Sequence, residues 1–120
     1  MIVGIGTDII EVCRIKRACE GKSFLMRYFT YKEIEFLKDN YIRIASNFAG
    51  KESVAKAFGT GVRGFELSEI EILRDEQGKP FVNLYGKAKE MAEKLGINNI
   101  HISISNLEEY ATAFVVAETV

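Results

Sequence analysis

Stretches in which apolar and polar residues alternate predict the strands of this chain. Residues 2–10 are rich in Ile and Val, and Gly4 and Gly6 interrupt the run, as in a strand that another backbone or a ligand approaches closely. The alternation in residues 67–74, the turn DEQGKP and the following FVNLY predict a hairpin. Strands at 99–105 and 110–118, connected by NLEE, predict a second hairpin.

Apolar residues at helical spacing predict four helices between these strands. They recur on one face of the longest, about residues 42–58, which Gly59, Thr60 and Gly61 end. Thr30 followed by Glu33 forms a capping-box pattern, which predicts a helix from there to about residue 39. Two shorter helices are predicted at about 13–20, ended by Gly21, and at about 85–95, ended by Gly96.

The predicted order of elements, β-α-α-α-β-β-α-β-β, favours the α+β class. Consecutive strands are predicted to pair as hairpins and not through βαβ crossovers, so the sheet is expected to be mainly antiparallel and packed with helices. A chain of 120 residues without a linker or repeat is expected to form one domain, residues 1–120.

Charge and composition limit the kinds of partner that the chain is expected to bind. Sixteen basic and seventeen acidic side chains nearly cancel, so the overall charge favours neither a nucleic-acid nor a membrane partner. No apolar run reaches the roughly 18 residues that a membrane span needs, and no signal peptide is recognisable. Two cysteines, Cys13 and Cys19, are too few for a secreted disulfide framework. We therefore expect a soluble cytoplasmic protein.

Asp8 interrupts the apolar strand of the segment GIGTDII. A carboxylate in such a strand is costly unless a partner compensates its charge. Its local pattern leaves two interpretations open, namely a turn cap or ion pair with a nearby arginine, and a ligand of a hard metal ion. The GxG of this segment does not extend to a dinucleotide-binding fingerprint.

The segment FAGKESVAKAFGTG places charged residues beside the apolar face of the longest predicted helix. Glu52 and Lys56 are four residues apart and share one helix face, which fits either an ordinary ion pair or a site for metal and phosphate. Lys51 falls near the centre of the apolar stripe, so it must extend to solvent or find an anionic partner.

Two further segments are chemical candidates. DEQGKP is expected to be a solvated hairpin turn whose Gly78 and Lys79 could contact a ligand. In HISISN the polar residues His101, Ser103 and Ser105 alternate with isoleucines, so one strand face is polar. The single histidine excludes a zinc site built from several histidines.

Together, GIGTDIIEVCRI, FAGKESVAKAFGTG, GKP and HISISNLEEYATA resemble the bacterial holo-[acyl-carrier-protein] synthases among the 4′-phosphopantetheinyl transferases. The resemblance covers essentially the whole chain and implies the small α+β phosphopantetheinyl transferase fold. It implies Mg²⁺-dependent transfer of 4′-phosphopantetheine from coenzyme A to a serine of apo-acyl carrier protein for fatty-acid synthesis. Adenosine 3′,5′-bisphosphate is the implied leaving product, and a homotrimer with active sites at its interfaces is the implied assembly.

The resemblance also implies roles for individual residues. Asp8 and Glu52 match the Mg²⁺ ligands, and Lys56 matches the lysine beside the transferring phosphate. Arg14 and Arg27 match the positions that meet the acidic carrier protein. The positions that match the coenzyme A site are Phe48, Lys51, Gly59, Thr60, Gly61, Gly78, Lys79, Pro80, Ser105 and Asn106.

Two positions depart from the family pattern. Asn106 stands where the family usually has histidine, and Asn47 stands where it usually has arginine. An amide is neither a general base nor a cation, so the proton of the attacking serine needs another acceptor. The open alternatives are a water on the metal, Glu52 and, if its side chain reaches the site, His101.

Other functions compatible with the same residues are a transferase for polyketide or other secondary carrier proteins and a non-catalytic module that binds coenzyme A or a nucleotide. A structural trimer without a ligand leaves Asp8, Glu52 and Lys56 unexplained.

Six basic residues and only one acidic residue in positions 14–32 predict a local patch that attracts an acidic carrier protein.

Overall fold

The computed structural model describes residues 1–120 and contains five strands and five α-helices. The strands are β1 (Ile2–Glu11), β2 (Ile70–Arg74), β3 (Pro80–Leu84), β4 (Asn99–Asn106) and β5 (Tyr110–Glu118). The helices are α1 (Val12–Ala18), α2 (Phe24–Tyr28), α3 (Tyr31–Leu37), α4 (Tyr41–Ala57) and α5 (Gly86–Lys94). A short 3-10 helix, Leu67–Glu69, precedes β2.

All strand pairs are antiparallel, and they form two sheets. In the larger sheet β5 lies between β1 and β4, so the first strand of the chain pairs with the last. The smaller sheet is the hairpin of β2 and β3. The predicted α+β class and antiparallel pairing are confirmed.

Helix α4 crosses one face of the larger sheet, and two glycines of β1 allow the close approach. A Cβ atom at Gly4 would overlap the carbonyl oxygen of Ala57, and one at Gly6 would overlap that of Ser53. Small buried residues of β5 complete this face, namely Ala111, Ala113, Val115 and Ala117. The strand that carries Asp8 therefore lies directly against the helix that carries Glu52 and Lys56.

Two groups of buried apolar side chains stabilise this arrangement from either end of α4. One includes Val54, Phe58 and Ile70 and extends to α5, and the other includes Ile15, Phe29 and Leu37 beneath α1 and α3. No helix combines the length and apolar character needed to cross a bilayer.

The sequence prediction was wrong at two places. Residues 24–28 form a short helix that was not predicted. The helix is only five residues long, and a segment of that length is too short to reveal a helical period of apolar residues. The strand predicted from residue 67 begins at Ile70, because a capping box between Glu66 and Glu69 winds residues 67–69 into a 3-10 helix. The capping box of Thr30 and Glu33 is confirmed.

Candidate active site

Asp8 and Lys56 meet at the contact between β1 and α4. The Lys56 ammonium lies 3.3 Å from Asp8 Oδ1 and donates a 2.8 Å hydrogen bond to the Thr7 carbonyl oxygen. Lys56 therefore pairs with Asp8, across 48 positions of sequence, and not with Glu52 one helical turn away. The Lys56 side chain is half exposed, whereas that of Asp8 is mostly covered.

Glu52 completes a trio of charged groups at this contact. Its partial burial raises the pKa of its carboxyl group, the nearby Asp8 carboxylate raises it further, and Lys56 partly offsets both effects. Glu52 lies one turn before Lys56 on the same face of α4, and Lys56 contacts Asp8, so the Asp8 and Glu52 carboxylates face the same contact and repel each other. A cation between them would relieve that repulsion and favour the ionised form of Glu52.

The chemistry of this donor set fits Mg²⁺. Mg²⁺ prefers oxygen ligands and is usually held by one or two carboxylates together with phosphate oxygens and waters. Asp8 and Glu52 provide two such carboxylates, and no cluster of three or more His, Cys, Asp or Glu side chains offers a complete protein cage. The arrangement is therefore suited to a metal ion that a phosphate substrate helps to bind.

Lys51 lies in the core and not at a surface where a ligand could bind. Its side chain and that of Glu33 are both fully buried, and its ammonium lies 2.6 Å from Glu33 Oε1. It also donates hydrogen bonds to the carbonyl oxygens of Leu67 and Ile70. The anionic partner required by its position in the apolar stripe is thus Glu33, the capping-box residue of α3.

Asn47 and Arg74 form a polar contact that the sequence did not indicate. Asn47 is buried, and its amide nitrogen donates to Glu33 Oε2 at 3.0 Å and to the Ile72 carbonyl at 2.9 Å. Arg74 donates to Asn47 Oδ1 at 3.0 Å, and its guanidinium lies 4.9 Å from the centre of the Phe36 ring. Arg74 thus places a cation beside position 47, a role that no sequence motif marked.

In the two glycine-containing loops of the predicted coenzyme A site, the glycines adopt backbone conformations that favour glycine. Gly59, Gly61 and Gly78 have positive φ angles of 81°, 66° and 84°, which disfavour any residue with a side chain. The loop with Thr60 follows α4, and the turn with Lys79 connects β2 to β3, where Pro80 lies opposite Arg74. No hydrogen bond or ion pair joins this turn to Asp8, Glu52 or Lys56.

The remaining predicted residues of the coenzyme A site lie on different surfaces. Phe48 is half-buried among the rings of Phe24 and Tyr28. Ser105 lies on the face of the larger sheet opposite to α4, whereas the Asn106 amide turns towards α4 and donates to Ser46 Oγ at 3.1 Å. Within one chain, the sheet therefore separates Ser105 from Asp8.

His101 also lies on the sheet face opposite to α4, as the alternation of β4 predicts. Its Nε2 is 2.6 Å from Glu118 Oε1, and its side chain is exposed. The separation by the sheet excludes His101 as a partner of Asp8, Glu52 or Lys56 in the same chain.

Helices α1 and α2 display a basic surface. Arg14 and Arg27 are exposed on these two helices and have no carboxylate within ion-pair distance. The other exposed basic residues of the surrounding segment are Lys16, Arg17, Lys22 and Lys32. We call these six residues the basic patch.

An antiparallel α+β fold that places carboxylates and a lysine beside a glycine-rich loop is suited to an enzyme that acts on phosphate-containing substrates. The family model of the 4′-phosphopantetheinyl transferase superfamily matches residues 4–115. Over its full length the chain is 48% identical to the holo-[acyl-carrier-protein] synthase of Lachnoclostridium phytofermentans, of which it covers 98%.

Solved structures agree with this assignment. The holo-[acyl-carrier-protein] synthase of Neisseria meningitidis superposes with a TM-score of 0.91 at 39% identity over 99% of this chain and 100% of that one. The Helicobacter pylori synthase in complex with coenzyme A has a TM-score of 0.84 at 30% identity over 95% and 99% of the two chains. The chain belongs to the holo-[acyl-carrier-protein] synthase family of the 4′-phosphopantetheinyl transferase superfamily and is a phosphopantetheinyl transferase.

Proposed function

We propose that this enzyme transfers 4′-phosphopantetheine from coenzyme A to a serine of apo-acyl carrier protein in a Mg²⁺-dependent reaction. The observation that carries the proposal is the convergence of Asp8, Glu52 and Lys56 from β1 and α4. The coenzyme A complex of the Helicobacter pylori relative supports coenzyme A as the donor. The proposal treats residues 1–120 as one transferase domain.

The reaction exchanges the phosphoanhydride bond of coenzyme A for a phosphodiester bond to serine at the β-phosphate, whose ester bond to pantetheine stays intact. The serine hydroxyl oxygen forms a bond to phosphorus, and the bond to the bridging oxygen breaks, so adenosine 3′,5′-bisphosphate leaves with that electron pair. Such transfers depend mainly on positioning and on neutralisation of phosphate charge. Asp8 and Glu52 would hold Mg²⁺, which supplies charge neutralisation at the pyrophosphate, and Lys56 would stabilise the charge that develops on the phosphate oxygens.

We assign the proton of the attacking serine to Glu52. Of the two carboxylates of the site, Asp8 pairs with Lys56 and Glu52 does not, so Glu52 is the one left to act as a base. Asn106 cannot accept a proton at neutral pH, and His101 lies behind the sheet in the same chain. A Glu52→Gln variant that binds metal and retains the full rate would contradict this assignment.

A homotrimer with active sites at its interfaces is part of the proposal, and the larger sheet supports it. The sheet face opposite to α4 exposes Ile5 by 60%, Ile9 by 67% and Phe114 by 46% in a single chain. Contiguous exposed apolar surface of this kind is typical of a protein interface. Since Ser105, a predicted residue of the coenzyme A site, shares this face, a second copy against it would bring Ser105 near the interface.

The acidic substrate is proposed to dock on the basic patch, with Arg14 and Arg27 contacting the carrier protein. The patch supplies local positive charge that the whole chain, with a net charge of −1, lacks. From the family resemblance we further propose that the enzyme serves fatty-acid synthesis and is located in the cytoplasm. Coenzyme A is proposed to contact Mg²⁺ and the side chains or backbone of Phe48, Gly59, Thr60, Gly61, Gly78, Lys79 and Pro80.

Mass spectrometry of apo-acyl carrier protein tests the function directly. With coenzyme A and Mg²⁺ we expect the carrier protein to gain the mass of one phosphopantetheine group, and we expect no gain after chelation of the metal. Asp8→Asn should reduce the rate by at least about 100-fold, because a metal ion supplies several kcal/mol of charge stabilisation. Glu35→Gln, an exposed carboxylate on α3, is the matched control and should keep the wild-type rate.

Coenzyme A binding without any mass gain in wild-type protein would instead identify a non-catalytic binding module. Titration calorimetry with coenzyme A, run on the same preparation, separates that outcome from a misfolded sample.

A further inference from the structure

We propose that the buried pair of Glu33 and Lys51 is a positioning device that fixes the direction of Glu52, so that it meets Asp8 in the metal site. This inference rests on the proposed function. It concerns residues that touch neither substrate nor metal. It also gives Lys51 a place in the enzyme that differs from the coenzyme A contact expected from its motif.

The two sequence neighbours of Glu52 are both held on other elements. Lys51 points to one side of α4, where its ammonium bonds to Glu33 of α3 and to the carbonyl oxygens of Leu67 and Ile70. Ser53 points to another side, where its hydroxyl is shared between the Ala49 carbonyl of α4 at 2.8 Å and the Ala113 carbonyl of β5 at 3.1 Å. Because successive residues of a helix are about 100° apart, these two anchors leave Glu52 one direction, towards β1.

Glu33 holds α4 at two points one turn apart. One carboxylate oxygen accepts from Lys51, and the other accepts from Asn47 at 3.0 Å and from the Ile72 backbone at 3.2 Å. The same carboxylate accepts from the Thr30 backbone in the capping box of α3. A single side chain thus joins α3, α4 and β2, and it prevents α4 from rotating or sliding along the strand.

On its opposite side, α4 is held in place by close backbone contact with β1. The backbone of α4 rests on Gly4 and Gly6 of β1, the strand that carries Asp8. A rotation of α4 would therefore move Glu52 and Lys56 along β1 and change their distances from Asp8. A buried ion pair adds little stability compared with apolar residues of the same volume, so its presence here is better explained by a requirement for one defined arrangement.

Kinetics and metal binding of neutral variants test the positioning. We expect Lys51→Met and Glu33→Gln each to lower kcat by about 10- to 100-fold, because even a displacement of about 1 Å at a reacting site can cost that much. The KM for coenzyme A should change by less than about threefold, because neither residue contacts the substrate. The double variant should be no slower than the slower single variant, since both changes disrupt one device.

Glu71→Gln is the matched control. Glu71 is also a buried carboxylate beside α3, but its side chain bonds to Thr30, Asn83 and Tyr85 and not to α4. Its loss should destabilise the protein and leave kcat within about threefold of wild type, measured at a temperature at which urea titration shows every variant folded.

Electron paramagnetic resonance can measure Mn²⁺ binding in the presence of coenzyme A, and this readout does not depend on turnover. We expect Mn²⁺ affinity to fall about tenfold in Lys51→Met and to remain unchanged in Glu71→Gln. Unchanged Mn²⁺ affinity and kcat in both Glu33 and Lys51 variants, or an equal loss in Glu71→Gln, would overturn the positioning role alone. Absence of transfer by the wild type would overturn the proposed function instead.

Discussion

Individual buried polar residues in this protein are satisfied by partners from distant parts of the chain. No buried side-chain nitrogen or oxygen lacks a hydrogen-bond partner. Glu71 is an example, since Thr30, Asn83 and Tyr85 all donate to its carboxylate. Burial by itself raises the pKa of Glu71, but these three donors outweigh it and lower the pKa below the ordinary value.

This shift predicts a pH dependence of stability. Because the folded-state pKa of Glu71 is depressed, its contribution is present above the unfolded pKa of about 4.3 and is lost as the pH falls through the folded pKa. Wild-type unfolding free energy, measured by urea titration, should fall in that acid range. In Glu71→Gln this part of the decline should be missing, so the two stabilities should converge towards low pH. A constant difference between them from pH 7 to pH 3 would contradict the assignment.

At the scale of elements, the contact of β1 with α4 determines the site. Gly4 and Gly6 bring the two backbones together, and Asp8 follows on the same face of the strand two residues later. The strand supplies one carboxylate and the helix supplies the other, so neither element contains a site without its partner.

A side chain in this contact should be destabilising. We expect Gly6→Ala to lower the unfolding free energy by about 1–3 kcal/mol, because the new methyl group overlaps the Ser53 carbonyl and the helix must move away. Denaturant titration measures the loss, and the rate of transfer should fall as well, since Glu52 moves with α4. Gly21→Ala is the control, because a Cβ there meets only an ordinary contact of 3.5 Å. Equal stability of the two variants would show that the contact is not tight.

At the scale of the whole molecule, charge and apolar surface are separated. The basic patch covers α1, α2 and the start of α3, although the chain as a whole has a net charge of −1. The exposed apolar side chains of the larger sheet lie on another surface, on the far side of the sheet from α4. These two surfaces correspond to the two proposed macromolecular contacts, the carrier protein and a second copy of the chain.

Salt should weaken recognition of the carrier protein. Between about 0.01 and 0.15 M salt the screening length shortens from about 30 to about 8 Å, so we expect the KM for the carrier protein to rise several-fold. Steady-state kinetics over this range measures the effect. The double variant Arg14→Gln/Arg27→Gln should raise the KM at low salt and reduce its salt dependence. A KM that is flat with salt in the wild type would exclude attraction by the patch.

Assembly can be tested on the apolar face of the sheet. We expect the wild type to have about three times the 13.5 kDa mass of one chain in light scattering. Ile5→Glu should give single chains without activity, because a charge is costly in an apolar interface. Lys94→Glu, at an exposed position of α5 away from both proposed contacts, should leave both mass and activity unchanged. Wild-type single chains with full activity would rule out the trimer as the active form.

The sequence alone indicated the strands, most helices and the antiparallel α+β class. These predictions succeeded because they depend on local period, on capping and turn residues, and on motifs with fixed spacing. Residues 24–28 were missed because one short turn of helix has no readable period. Only the family resemblance implied that Asp8 and Glu52 belong to one site, and the ion pair of Asp8 with Lys56, across 48 positions of sequence, was not predicted.

The tertiary structure alone decided the partners of buried charges. In the sequence Lys51 is a cation within an apolar stripe, and Glu33 is a helix cap; only the packing of α3 against α4 and β2 joins them. The same holds for Asn47 and Arg74, and for the position of His101 behind the sheet. Sequence patterns fix which face of an element is polar, because that depends on local geometry. Which two faces meet depends on how all the elements bury their apolar sides at once, and that is a property of the whole fold.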